Sequence, residues 1–164
     1  MKVAVIQFPG SNREDDAAKA LNALNALDLD AELFRWNLDS SLGRYYGIVL
    51  PGGFSYQDRV RSGVIAAKEH IMYDIREEAE KGKPIIGICN GCQILVEAGL
   101  VPQIYEYRID LGMAPNAGKQ DGKTVRTGFD SDWVYNYSYS RERKMCSYFS
   151  FRERRNVSNP YSTL

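Results

Sequence analysis

Cys89 sits in Gly87-Ile88-Cys89-Asn90-Gly91, a G-x-C-x-G segment between the apolar run Pro84-Ile85-Ile86 and a helical stretch that starts at Gly91. A thiol placed there can act as a nucleophile. A sharp strand-to-helix turn lifts the reacting atom out of a sheet, and a side chain at either flanking glycine would collide with neighbouring backbone. The helix N-terminus that follows favours thiolate over thiol. The backbone N–H of Asn90 is placed to donate to a developing oxyanion. The competing reading is an ordinary buried cysteine beside a tight turn, since cysteine is often buried.

A second segment, Leu50-Pro51-Gly52-Gly53-Phe54-Ser55, ends another apolar run. In a parallel sheet it opens on the same carboxyl edge as Cys89, where ligands bind. Its glycines allow backbone to approach a substrate, and the N–H near Gly53 offers a second oxyanion donor. Pro-Gly-Gly is also a common way to end a strand. Cys89 and Cys92 fit C-x-x-C, the pattern of a redox pair or of half a zinc site, but only Cys146 and His70 remain as further ligands. No metal site is expected. His70 has polar neighbours in Lys68 and Glu69, while Ile65, Ile71 and Ile75 mark the buried side of its helix; it reads as a surface residue.

The elements that position these groups alternate. Lys2 to Phe8 reads as a buried strand ended by Pro9-Gly10. Ser11 or Asn12 is the expected cap of a helix whose first turn holds Glu14, Asp15 and Asp16, and which presents Ala17, Leu21, Leu24 and Leu27. Ala31 to Trp36 and Tyr46 to Leu50 make two more strands. Ser62 is the expected cap of a long helix presenting Ile65, Ile71 and Ile75 and closing near Lys81-Gly82. Pro84 to Ile88 is a fourth strand, and Gly91 to Ala98 starts another helix. This alternation argues an α/β fold, a doubly wound, mostly parallel sheet with helices on both faces.

The pattern stops after Pro102. Val, Ile and Leu number 26 in residues 1–102 and 7 in the 62 residues 103–164. The second stretch holds seven of the eleven tyrosines and ten Lys and Arg against seven Asp and Glu. Residues 1–102 therefore read as one α/β domain and 103–164 as an irregular tail, in which Asp132 to Ser140 is a candidate short strand. The run from Trp133 to Arg155 has the aromatics and arginines of an RNA contact, but lacks a nucleic-acid fold signature. Lys and Arg total 21 and Asp and Glu total 21, so no global field points to nucleic acid or an anionic membrane. No apolar run reaches membrane-spanning length, no signal-peptide pattern opens the chain, and three cysteines form no disulfide framework, so a cytoplasmic setting is expected.

Leu50-Pro51-Gly52-Gly53-Phe54-Ser55-Tyr56, then Asp58, Arg61, Gly63, Ile65, Ala66 and Ala67, then Gly87-Ile88-Cys89-Asn90-Gly91 with Gln93-Ile94-Leu95, resemble the class I glutamine amidotransferases. Within that group they resemble the glutaminase subunits of phosphoribosylformylglycinamidine synthase, and the opening Phe8-Pro9-Gly10-Ser11-Asn12 agrees. The resemblance covers residues 1–102. Gln57 and Cys92 stand where the family more often has glycine and phenylalanine. The resemblance implies a flavodoxin-like sheet, with Cys89 attacking glutamine to give a glutamyl thioester and ammonia. It implies that Gly53 and Asn90 hold the oxyanion and that Gln93 contacts glutamine. It further implies that ammonia passes to a synthase subunit, assisted by a small accessory subunit, in purine biosynthesis. ATP and magnesium would be used by that partner, with no cofactor bound by this chain.

The same resemblance calls for a His-x-Glu pair after the nucleophile, and the chain has no histidine besides His70. In Leu111-Gly112-Met113-Ala114-Pro115-Asn116, a short echo of the family puts Asn116 at the histidine and Gly118 at the glutamate. Three explanations stand. The chain is a truncated or frameshifted product, or a divergent non-catalytic relative acting as a binding module, or an enzyme whose base comes from a partner chain.

Overall fold

The computed structural model describes residues 1–24, 28–38, 41–103, 108–113 and 116–128. Four strands form one parallel sheet: β1 (Lys2–Gln7), β2 (Asp30–Arg35), β3 (Gly47–Leu50) and β4 (Ile85–Gly87), in the order β2-β1-β3-β4. Three helices connect and flank them: α1 (Glu14–Asn22), α2 (Ile71–Glu80) and α3 (Asn90–Glu97). Strand alternation sends the apolar residues to both faces. Val3, Val5 and Val49 pack against Ala17, Ala18 and Leu21 of α1. Ala4, Ile6, Ile48 and Leu50 point the other way and pack with Met72 and Ile75 of α2 and Ile94 and Leu95 of α3. The doubly wound α/β architecture expected from the alternation is the one observed.

Several local expectations change. Neither Ser11 nor Asn12 caps α1; the N-cap is Arg13, without a side-chain cap bond. Ser11 instead closes the turn after β1, its hydroxyl accepting from the Phe8 N–H at 3.1 Å, and it forms a β-bridge with Gly53. Helix α1 ends at Asn22, so Leu24 falls beyond it and is half exposed; Leu27 lies outside the described residues. The long helix capped by Ser62 is two pieces, a 3-10 turn at Ala66–Lys68 and then α2 with His70 as its N-cap. Glu69 breaks them with extended dihedrals (φ −66°, ψ 151°) and accepts a hydrogen bond from the Tyr56 hydroxyl, so a tertiary contact overrides the helical period. Strand β4 follows an apolar run but is outermost among the described strands, and Ile86 and Ile88 are exposed at 41% and 49%.

Within the stretch expected to be irregular, β5 (Asn116–Gln120) and β6 (Lys123–Gly128) pair as an antiparallel hairpin. Its turn is Asp121-Gly122, both at positive φ (51° and 77°), the conformation that a two-residue hairpin turn requires. The dipeptide carries the signal for this hairpin and the aliphatic count does not, because a two-stranded ribbon with exposed Val125 has no aliphatic core of its own. The candidate strand Asp132 to Ser140 and Cys146 lie outside the described residues.

Two glycines separate steric from conformational requirements. A Cβ on Gly91 would lie 2.0 Å from the Leu50 carbonyl oxygen, whereas one on Gly82 meets nothing within 4 Å but demands φ +82°. Gly82→Ala is expected to lose about 1 kcal/mol through backbone strain. Gly91→Ala is expected to lose about 3 kcal/mol or more, because α3 must leave β3 to make room. Urea denaturation of both variants checks the order; a Gly91 variant as stable as the Gly82 variant would contradict the close helix–strand approach.

Candidate active site

Cys89 is the N-cap of α3, with φ 53° and ψ −109°, and its side chain is exposed. A positive φ at a residue other than glycine stores backbone strain of about 1–3 kcal/mol, and such strain persists only where neighbouring structure enforces it. Here the neighbours are the two flanking glycines. A Cβ on Gly87 would fall 2.7 Å from the Cys92 backbone nitrogen, and one on Gly91 would strike Leu50. The turn is as tight as the G-x-C-x-G spacing implied. The sulfur is not packed in the core.

The Pro51-Gly52-Gly53 loop reaches the same edge, in a division of labour that spacing did not indicate. Gly52 faces the thiol residue: a Cβ there would lie 3.5 Å from Cys89 Cβ and 3.7 Å from Arg13 Cγ. Gly53, at φ +133°, faces the turn after β1, where a Cβ would approach the Asn12 backbone nitrogen to 2.7 Å. The Phe54 N–H donates to the Gly10 carbonyl at 3.0 Å, and the Tyr56 N–H to that of Pro9 at 2.7 Å. The first turn of the chain is thus a wall of the site.

Asn90 is 2% exposed and uses its whole side chain. Its Oδ1 accepts from the Ser55 N–H at 3.1 Å, and its Nδ2 donates to Asp58 Oδ1 at 3.2 Å and to Gln93 Oε1 at 3.0 Å. Gln93 is half-buried, with its carboxamide turned toward Asn90 and its N–H donating to the Cys89 carbonyl at 3.2 Å. Sequence reasoning valued Asn90 for its backbone alone. The missed signal was its type: asparagine is a poor helix former, so its presence at a helix start indicates side-chain bonding.

The loop beyond carries Tyr56, Gln57, Asp58 and Val60 at positive φ, between 52° and 72°. Gln57 stands where the resembled family favours glycine, and its left-handed φ of 59° gives the physical reason. Burial, then a hydrogen bond to Glu69, pushes the Tyr56 phenol up, so it remains a neutral donor. Burial, with a smaller effect of neighbouring Cys89, also raises the Cys92 thiol, which holds it in the unreactive protonated form. His70 is exposed, its ring 5.7 Å from that of Tyr73. Asn116 and Gly118 lie in β5, paired with Gly128 and Arg126. Among the described residues no three His, Cys, Asp or Glu side chains gather where they could hold a metal ion.

Arg61 closes the loop onto α3 through two bonds of 2.6 Å to the carboxylate of Glu97, a residue 4% exposed. The hydrogen bonds from Arg61 hold the Glu97 carboxyl below its ordinary 4.5, against the opposing effect of burial. A depressed carboxylate contributes stability that is fully present above its unfolded value and lost as pH falls through the folded one. Arg61→Met, which keeps the aliphatic stem, is expected to lower the urea midpoint at neutral pH. The gap to the unmutated chain is expected to narrow as pH falls below 4.5. A gap independent of pH would show that the ion pair is not its source.

The chain is similar to known proteins over most of its length. The model of the CobB/CobQ-like glutamine amidotransferase domain matches residues 1–136, past the end of the α/β alternation. Phosphoribosylformylglycinamidine synthase subunit PurQ of Methanothrix thermoacetophila is 49% identical over 148 residues, covering 90% of this chain and 54% of that protein. Its namesakes in Pyrobaculum aerophilum and Pyrococcus furiosus are each 50% identical over 102 residues, 62% of this chain and 46% and 44% of theirs. A solved structure, "Structure of PurLQS from Thermotoga maritima", is similar with a TM-score of 0.57 and 44% identity, over 61% of this chain and 45% of that one. The chain spans about half the length of the curated relatives it matches. With a model match over most of its length and a thiol turn of the geometry described, the chain belongs to the CobB/CobQ-like glutamine amidotransferase domain family.

Proposed function

We propose that this chain carries the glutamine-hydrolysing chemistry of a phosphoribosylformylglycinamidine synthase, with Cys89 as the nucleophile. The observation that carries the reading is the exposed Cys89 at φ 53°, beside Gly52 and at the start of α3. The thiolate attacks the side-chain carboxamide carbon of glutamine, a C–S bond forms, and the carbonyl oxygen becomes an oxyanion held by the Gly53 and Asn90 backbone N–H groups. The C–N bond then breaks, the nitrogen leaves as ammonia carrying the proton that the thiol gave up, and water adds its hydroxyl to the thioester carbon and its proton to the sulfur, releasing glutamate and free thiol. Gln93 lines the glutamine site. The relatives named as PurQ support delivery of ammonia to a synthase subunit that converts formylglycinamide ribonucleotide to the amidine. In this reading ATP and magnesium belong to that partner, a small accessory subunit completes the assembly, neither nucleic acid nor membrane takes part, and the setting is cytoplasmic. No helix among the described residues is long and apolar enough to cross a membrane.

A second reading rests on one observation: the only histidine, His70, is exposed at the start of α2, and the chain contains no His-x-Glu pair. Without a base to shuttle the proton, the chain binds its partner and glutamine but turns over slowly or not at all.

Ammonia release from glutamine by the purified chain with its synthase partner separates the two. Turnover abolished by Cys89→Ser supports the enzyme, and complex formation without turnover supports the binding module. An electrophilic glutamine analogue is expected to label Cys89 at least about tenfold faster than Cys92 or Cys146. Equal labelling of the three would overturn Cys89 as the nucleophile.

A further inference from the structure

Resting on the glutaminase reading, we infer that the Asn90 carboxamide, braced by Asp58, is a positioning residue that sets the spacing of the two oxyanion donors. Its backbone N–H belongs to the first turn of α3, where helix geometry provides no internal acceptor. Its side chain grips the opposite wall. The Ser55 N–H, two residues from Gly53, donates to Asn90 Oδ1 at 3.1 Å across 35 positions of sequence. One residue therefore spans both halves of the oxyanion site.

The orientation of that carboxamide is chemically fixed. Ser55 presents an N–H, which requires an acceptor, and Asp58 presents a carboxylate, which requires a donor, so Asn90 is held with Oδ1 toward one and Nδ2 toward the other. The loop it holds has little regular structure of its own. Phe54, Gln57, Arg59 and Val60 are exposed, and Tyr56 to Asp58 are all left-handed. On one side the loop is tied to Pro9 and Gly10; on the other, Asn90 holds its start, and Tyr56 and Arg61 hold it further along, to Glu69 and Glu97. Release of the Asn90 tie, the one nearest Gly53, lets Gly53 move with the first turn while Asn90 stays with α3. A shift on the order of 1 Å between oxyanion donors costs rate about 100-fold.

The test compares two labels on Cys89: a chloroketone analogue of glutamine, whose carbonyl oxygen must enter the oxyanion site, and iodoacetamide, which needs only the thiolate. The ratio of the two rates cancels any change in the ionisation of the thiol. N90D places a carboxylate against Asp58 and is expected to lower the ratio about 100-fold. The exchange N90D/D58N restores a donor facing an acceptor and is expected to recover most of it, which a merely structural defect would not. D58A, at a half-buried loop position, is expected to lower the ratio about tenfold and decides the matter where N90D does not fold. An unchanged ratio in a folded variant, or a double variant no better than N90D alone, overturns the inference. A ratio near one in the unmutated chain overturns the glutaminase reading and this inference with it.

Discussion

The approach of α3 to the end of β3 is the constraint on which the site depends. With Gly91 at the crossing, the helix begins so near Leu50 that no side chain fits between them. That approach forces the turn at Cys89 into a left-handed conformation and raises the sulfur out of the sheet. It also brings the start of α3 within hydrogen-bonding distance of the loop that follows β3. The strain at Cys89 is local, but what sustains it is packing: Ile94 and Leu95 of the same helix are buried against Ile48 and Leu50. Burial of aliphatic side chains of this size contributes about 1.5–3 kcal/mol each, comparable with the strain of one unfavourable backbone position.

From this follows the layered construction of the edge. The turn after β1 supports the loop after β3, and that loop is in turn held by the first and last turns of α3, through Asn90 and Glu97. Each layer holds the next by hydrogen bonds from backbone or charged groups, so the geometry near the sulfur is specified more tightly than apolar contact alone allows. Buried Glu97 and Asn90 are costly unless partnered. Arg61 and the Ser55–Asp58–Gln93 set supply those partners, and their charge and direction fix the register of the loop.

Much of this was legible. The four strands and the helices that alternate with them follow from apolar runs and helical spacing, because strand and helix periods are local properties of the chain. The thiol turn follows from two glycines around one cysteine. What failed did so where distant contacts outweighed local preference. Ser11 does not cap α1, because its hydroxyl and backbone are engaged by Phe8 and Gly53. The helix expected from Ser62 breaks at Glu69, which binds Tyr56. The Asp121-Gly122 hairpin is the exception, a local turn whose dihedrals set the pairing of β5 and β6 in a stretch poor in aliphatics.

The sequence by itself determined the order of the elements, the parallel two-faced sheet and the identity of the exposed thiol, since these rest on periodicity and on sterics within a few residues. Only the tertiary structure decided which glycine stands beside Cys89, what the Asn90 side chain does, and that Arg61 closes on Glu97. Those bonds join residues 32 to 36 positions apart. Their partners are chosen by how three loops stack at one edge of the sheet, and no local dihedral preference carries that information.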